Sequence, residues 1–278
     1  MKTHKTETIG EAFVWARREL AKTPTPYLDA QILLAYVAKI KKDRVLIESD
    51  KTLSATDRKK FEVLIGKRKE RIPVAYLTGQ KEFFGLDFLV SPKVLIPRPA
   101  TERIVEKVIE IAANKNIKKI VEVGTGSGAI AISLARHLPK IKIFAGDISS
   151  AALAVAAKNV EKHRVLGRLT LVKSTLLKKL PIAELVVANL PYLSEKIRLE
   201  PELGHEPKQA LFDGSSDGLE LYRQLFEQVG HAIVVIELGA KQFSPMQKWL
   251  QKRFGMNCKI EPIEDIDGTI CGLVGTIS

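Results

Sequence analysis

Apolar residues recur at three- and four-residue spacing across residues 7–70. They do so in TIGEAFVWARRELAK, in DAQILLAYVAKI and, behind a Ser-x-x-Asp start at Ser54, in SATDRKKFEVLIGKRKER. That period predicts helices, and Thr23-Pro24-Thr25-Pro26 punctuates the first two. A small helical domain over 1–72 is the expectation. From Pro73 the texture changes. AYLTGQKEFFGLDFLVSPKVLIPRP is rich in aromatic and β-branched residues, Gly and Pro, and predicts a hairpin-like connector over 73–100. ATERIVEKVIEIAANK then returns to helical spacing. From Lys118 short apolar runs (KKIVEV, KIFAGD, LTLVK, ELVVA, HAIVVIELG) alternate with helical ones (AIAISLARHL, SAALAVAAKNVEKH, LELYRQLFEQV, SPMQKWLQKRF), and CKIEPIED with TICGLVGTI closes as a hairpin. Alternation of this kind predicts an α/β domain over 101–278 built on a doubly wound, mostly parallel sheet. Such sheets bind ligands at the carboxyl ends of their strands.

Composition narrows the setting. The 278 residues suffice for one large domain or two smaller ones, and 45% apolar content is ordinary for a globular chain. No apolar run has the length of a membrane span, so no membrane association is expected. The opening MKTHKTETIG lacks the apolar core of a secretory signal. Cys258 and Cys271 make neither a disulfide framework nor a metal-ligand spacing, and the five histidines are scattered. A cytoplasmic protein without a metal is expected. The net charge of +12 does change the picture, because residues 1–75 hold 17 Lys and Arg against 10 Asp and Glu. This basic helical stretch is either a solvated surface or a surface for an anionic partner, RNA or a protein docked beside RNA.

Two stretches carry candidate chemistry. In VEVGTGSGAIAIS a strand runs into Gly124-Thr125-Gly126-Ser127-Gly128 and then into a helix, and Asp147 ends the next strand. Glycines let ligand atoms approach the backbone, and a carboxylate at that distance accepts from both hydroxyls of a ribose. A nucleoside-bearing cofactor is the expectation. Gly124, Gly126 and Ala129 also fit the NAD spacing, whereas Glu122 and Gly124-x-Gly126-x-Gly128 fit S-adenosylmethionine. The second stretch is ELVVANLPYLSEK, where a buried strand breaks into Asn189-Leu190-Pro191-Tyr192. An amide nitrogen is a poor nucleophile because its lone pair is delocalised, so positioning must supply most of the rate. The Asn189 side-chain oxygen and the Leu190 carbonyl are expected to accept the two N–H groups of a planar NH2. Pro191 would stiffen the turn and Tyr192 would stack on the acceptor. Glu237 in IELG is read as a pocket neighbour or a helix cap, Trp15 and Trp249 as core, and His205 alone does not make a base.

Asn-Leu-Pro-Tyr resembles the (Asn/Asp/Ser)-Pro-Pro-(Tyr/Phe) motif of methyltransferases acting on planar NH2 groups. Most of the chain resembles the HemK/PrmC-type glutamine methyltransferases that modify peptide chain release factors. DAQILLAYV, PVAYLTGQKEFFGLDFLVSPKVLIPRPATE, VEVGTGSGAIAISLA, NLPY and EPKQALFDGSSDGLELYR follow in that family's order. The resemblance implies a Rossmann-like class I methyltransferase sheet behind a substrate-docking helical domain. It implies N5-methylation of the glutamine in a Gly-Gly-Gln loop of a class I release factor, by a monomer. It also implies cofactor contacts at Gly124–Gly128, Asp147 and Asn189, and substrate contacts at Asn189–Tyr192. This chain departs from the family at Leu190, where proline is usual, and at Ala100, where glutamate is usual. Where the family often has an acidic residue and an aromatic near the adenine, Ser174, Thr175 and Leu176 stand, so Leu176 is expected to pack on the base. Three other readings stay open: glutamine methylation of a ribosomal protein, adenine methylation of RNA or DNA, and a non-enzymatic RNA- or ribosome-binding protein that keeps the cofactor fold.

Overall fold

The computed structural model describes residues 7–194 and 197–277, so the reading of the first six residues lies outside it. The described chain forms two compact units. The first comprises 7–79 and 199–205. Its helices are α1 (Ile9–Glu19), α2 (Pro26–Ala38), α3 (Arg44–Ile47), α4 (Ala55–Lys69) and α5 (Val74–Thr78). Local chemistry sets the starts. Thr8 and Glu11 form a reciprocal capping box on α1, Pro26 opens α2, and Ser54 caps α4 by accepting from the Asp57 N–H. The apolar stripes meet around Phe13, Leu33, Leu34, Phe61 and Ile65. Val74 and Leu77 pack on the same cluster, which is why Val74–Thr78, read from sequence as connector, is helical and belongs here.

Charge ties the second segment of this unit to the first. Arg68 and Asp29, 3% and 4% exposed, pair at 2.7 Å. Arg68 also reaches Glu202 at 2.9 Å, and Arg71 grips the same carboxylate with two parallel bonds of 2.7 and 2.6 Å. Burial works to raise the Glu202 carboxyl, but the hydrogen bonds from Arg71 and Arg68 outweigh it and hold the group down to about 2.

The second unit opens with an antiparallel hairpin, β1 (Gln80–Phe83) and β2 (Leu86–Leu89), and the helix α6 (Thr101–Asn114). Strands and helices then alternate as β3 (Lys119–Val123), α7 (Ala129–His137), β4 (Lys142–Asp147), α8 (Ser150–Lys162), β5 (Leu169–Lys173) and β6 (Leu185–Ala188). They continue as α9 (Glu220–Gln228), β7 (Ala232–Glu237), α10 (Phe243–Phe254), β8 (Cys258–Glu264) and β9 (Ile270–Ile277). The sheet order is β5-β4-β3-β6-β7-β9-β8, with β9 running opposite to the other six strands. Alternate residues serve opposite faces. Leu185, Val187, Ile233 and Val235 join one apolar cluster, and Val186, Ala188, Val234 and Ile236 join the other. Burial on both faces explains why these strands read as unbroken apolar runs. From β3 the order runs outward to β4 on one side and to β6 on the other, so a crevice opens at their carboxyl ends. Among the described residues no helix is long and apolar enough to cross a membrane.

Candidate active site

A cavity of about 360 Å³ occupies that crevice. Gly124, Thr125, Gly126 and Ser127 line it after β3, Asp147 after β4, Leu176 after β5, and Asn189, Leu190 and Pro191 after β6. The Gly124 and Thr125 N–H groups donate to the Gly146 carbonyl at 2.8 and 3.0 Å, which bends the loop across the strand ends. Gly124 has φ 77°, and a Cβ there would meet the Leu190 side chain at 2.9 Å, so this position needs glycine on both counts. Gly128 does not line the cavity; it begins α7 and packs on Ile132 and Ala156.

Two carboxylates hold the loop. Glu122, fully buried, accepts from Thr125 Oγ1 at 2.6 Å and from the Ala131 N–H at 3.2 Å, and burial pushes it up to about 7. Asp147 accepts from the Gly126 N–H at 2.9 Å and from the Ser149 N–H at 2.8 Å. Burial raises its carboxyl against those bonds. The Ile148 N–H bonds the same carboxylate, and of its roughly four acceptor positions at least one remains for a ligand in the cavity. Leu176 and Ile148 give the same cavity apolar wall. Carboxylate acceptors beside a backbone cradle and apolar wall fit a ribose, an adenine and a positively charged sulfur.

The break after β6 is built differently from its sequence reading. Asn189 Nδ2 donates to Thr101 Oγ1 at 3.1 Å and to Glu237 Oε2 at 2.9 Å. Tyr192 does not line the cavity. Its hydroxyl donates to Glu237 Oε1 at 3.2 Å, which anchors the ring at its hydroxyl end. The Tyr192 carbonyl accepts from Gln242 Nε2 at 2.8 Å; the same nitrogen donates to the Asp217 carbonyl at 2.7 Å, and Gln242 Oε1 accepts from the Gly239 N–H. Gly218 lies so close that a Cβ there would stand 2.0 Å from the Tyr192 carbonyl oxygen. Among the described residues Glu237 caps no helix. It ends β7 beside the end of β6, and neither Thr101, Tyr222 nor Gln242 was legible as part of the site. The one available signal for Glu237 was an acid at the end of a fully apolar strand, at the same sheet edge as Asp147. His205 belongs to the helical unit, where a ring nitrogen lies 3.3 Å from the Glu70 carbonyl.

Leu190 brings an N–H that proline would lack, and the fully buried Tyr222 takes it. The N–H donates to the Tyr222 hydroxyl at 3.1 Å, and the hydroxyl returns a bond to the Leu190 carbonyl at 3.3 Å. Tyr222→Phe is expected to cost about 1–3 kcal/mol by leaving that buried N–H unpaired. In a Leu190→Pro background the cost should shrink, since there is no N–H to strand. Urea unfolding of the double-mutant cycle checks this, and equal costs in both backgrounds would refute the coupling.

Residues 100–221 match the Methyltransferase small domain. The solved human methyltransferase 10 domain containing protein shares the fold, with a TM-score of 0.51 at 18% identity over 70% of this chain and 89% of that one. The chain is therefore a class I methyltransferase, and the methyl donor of that class is S-adenosylmethionine. Residues 11–79 match the PrmC N-terminal domain. The release factor glutamine methyltransferase of Moorella thermoacetica is 37% identical over 246 residues, covering 84% of this chain and 87% of the relative. That of Bacillus subtilis is 33% identical over 285 residues, covering 96% and 98%. The chain belongs to the release factor glutamine methyltransferase family.

Proposed function

We infer that the chain transfers a methyl group from S-adenosylmethionine to the side-chain amide nitrogen (N5) of the glutamine in the Gly-Gly-Gln loop of class I peptide chain release factors. The observation that carries this is one cavity lined both by the glycine loop with Asp147 and by Asn189-Leu190-Pro191. Bound S-adenosylmethionine supplies an electrophilic methyl group on a positively charged sulfur. Gly124–Ser127 cradle the cofactor, Asp147 accepts from its ribose, and Leu176 packs on its base. Asn189 Oδ1 and the second lone pair of the Leu190 carbonyl accept the two N–H groups of the glutamine amide and aim its nitrogen. Pro191 stiffens the turn, and Tyr192 holds the site from behind. Most of the rate then comes from orientation. The helical unit docks the release factor, and its excess of basic residues suits a partner that works beside RNA. We assign the chain action as a monomer, in the cytoplasm where release factors work.

The test is radiolabelled methyl transfer to purified release factor, to ribosomal proteins and to RNA in parallel. Label is expected on the release factor glutamine, and a Gly-Gly-Gln to Gly-Gly-Ala release factor should take none. Label on RNA or on a ribosomal protein, with none on the release factor, would overturn the reading.

A further inference from the structure

We propose that Glu237 is the positioning residue that fixes the Asn189 side-chain amide in the one orientation able to accept from the substrate. This rests on the reading of Asn189 as the acceptor for the glutamine N–H.

An asparagine amide is nearly symmetric in shape. A half-turn about its last bond exchanges an acceptor for a donor, and only the surroundings choose between the two. Strands β6 and β7 run parallel with Ala188 opposite Ile236, so Asn189 and Glu237 follow as neighbours at the sheet edge. Both hydrogens of Asn189 Nδ2 are then used, one on Thr101 Oγ1 and one on Glu237 Oε2. No hydrogen bond occupies its Oδ1 among the described residues. Turning the amide over would set Oδ1 against a carboxylate oxygen at about the 2.9 Å now spanned by the hydrogen bond. Two acceptors at that distance, with Glu237 only 3% exposed, repel without solvent to relieve them. The flipped amide would also point an NH2 at the substrate NH2, donor against donor. The carboxylate is itself held, because Tyr192 donates to its other oxygen and Thr101 hydrogen-bonds it as well.

Glu237 does not line the cavity, so it acts through the residues it holds, and of these Asn189 is the one that presents an acceptor to the substrate. It must be ionised to do so. Once protonated it offers an O–H, which stabilises the flipped amide. Burial lifts its carboxyl above the ordinary 4.5, against hydrogen bonds from Thr101, Tyr192 and Asn189. The groups facing it are Arg98, Thr101, Asn189, Tyr192, Tyr222 and Cys271, of which only Arg98 carries a charge when the carboxylate forms. Activity is therefore present above the raised pKa of Glu237 and is lost as pH falls through it, at a pH above the ordinary carboxylate range.

The experiment is single-turnover methylation of release factor across pH, with cofactor affinity by calorimetry and thermal melting measured on each variant. Glu237→Gln presents one acceptor and one donor, so it no longer selects between the two amide orientations. Its rate should fall on the order of tenfold, less than the hundredfold that a misplacement of about 1 Å can cost. The Glu237 acid limb should vanish, cofactor affinity should not change, and the Asn189 Nδ2 hydrogens should exchange faster by NMR. Glu237→Asp keeps the charge and should retain an acid limb. A Glu237→Gln enzyme with the wild-type rate and acid limb would overturn the proposal, as would a loss of rate matched by an equal loss of cofactor affinity. Should Glu237→Gln not fold, a Glu237→Asp enzyme without an acid limb would overturn it equally. Asn189→Ala, run alongside, separates the two readings: full activity there defeats the acceptor assignment, whereas its loss with normal Glu237→Gln activity defeats this proposal alone.

Discussion

Asn189→Ala is expected to slow methyl transfer by about a hundredfold or more, while S-adenosylmethionine still binds. The side chain offers one oxygen to the cavity and anchors its nitrogen on Thr101 and Glu237. Alanine removes the acceptor that orients the substrate and leaves the cofactor cradle at Gly124–Ser127 and Asp147 in place. A hundredfold corresponds to roughly 2.7 kcal/mol of transition-state stabilisation. Asn189→Asp should be nearly as poor. It sets a second carboxyl against Glu237 Oε2, and two carboxylates at that spacing do not both ionise in a buried site. Single-turnover rates beside calorimetric cofactor affinity are the measurement. Full activity in Asn189→Ala would mean that the strand breaks on this motif for packing reasons only.

Arg68→Ala is expected to destabilise the helical unit by about 3–5 kcal/mol, the usual cost of breaking a buried ion pair from one side. Arg68 and Asp29 are almost wholly buried, and Thr23 and Thr25 add hydrogen bonds to the same carboxylate. Removing the guanidinium strands Asp29 in an apolar cluster and takes one of two arginines from Glu202. Arg68→Lys should recover little, since a single ammonium cannot reproduce the Nε contact to Asp29 and the terminal-nitrogen contact to Glu202 together. The Glu202 contribution has its own pH signature. Its carboxyl is held down to about 2, so this stabilisation is in place above the ordinary carboxylate range and is lost as pH falls through about 2. Urea unfolding at neutral pH is the check, and a change within error would show that the pair contributes nothing net.

The sheet was legible because its strands are buried on both faces and bounded by glycine, aspartate or asparagine. Residues whose role is set by what crosses to them from another strand were not. Glu237 reads as a pocket neighbour or a helix cap until β7 is paired beside β6, and Gln242 has no reading from sequence until its amide bridges the Tyr192 and Asp217 carbonyls. The bond from the Tyr192 hydroxyl to Glu237 belongs with these, since it too crosses from one strand end to another. Gly128 fits a cofactor spacing by position, but its closeness to Ala156 gives it a packing role. The stretch around Tyr76 looked extended from its β-branched and aromatic content. The contacts of Val74 and Leu77 with the helical core override that propensity.

Arg71 and Glu202 stand 131 positions apart, and this has a consequence for the order in which the protein is made. Synthesis at about 5–20 residues per second leaves a gap on the order of ten seconds between them. Through that interval the nascent helices carry two arginines whose shared carboxylate has not yet been added, while β3 to β6 emerge in between. The helical unit is thus finished by a segment that arrives after the cofactor loop and the Asn189 turn. A fragment cut at Gly79 is not the same unit in isolation, because it lacks 199–205. A fair trial of release factor docking keeps that segment in the chain, for example by joining 199–205 to the end of α5 through a flexible linker.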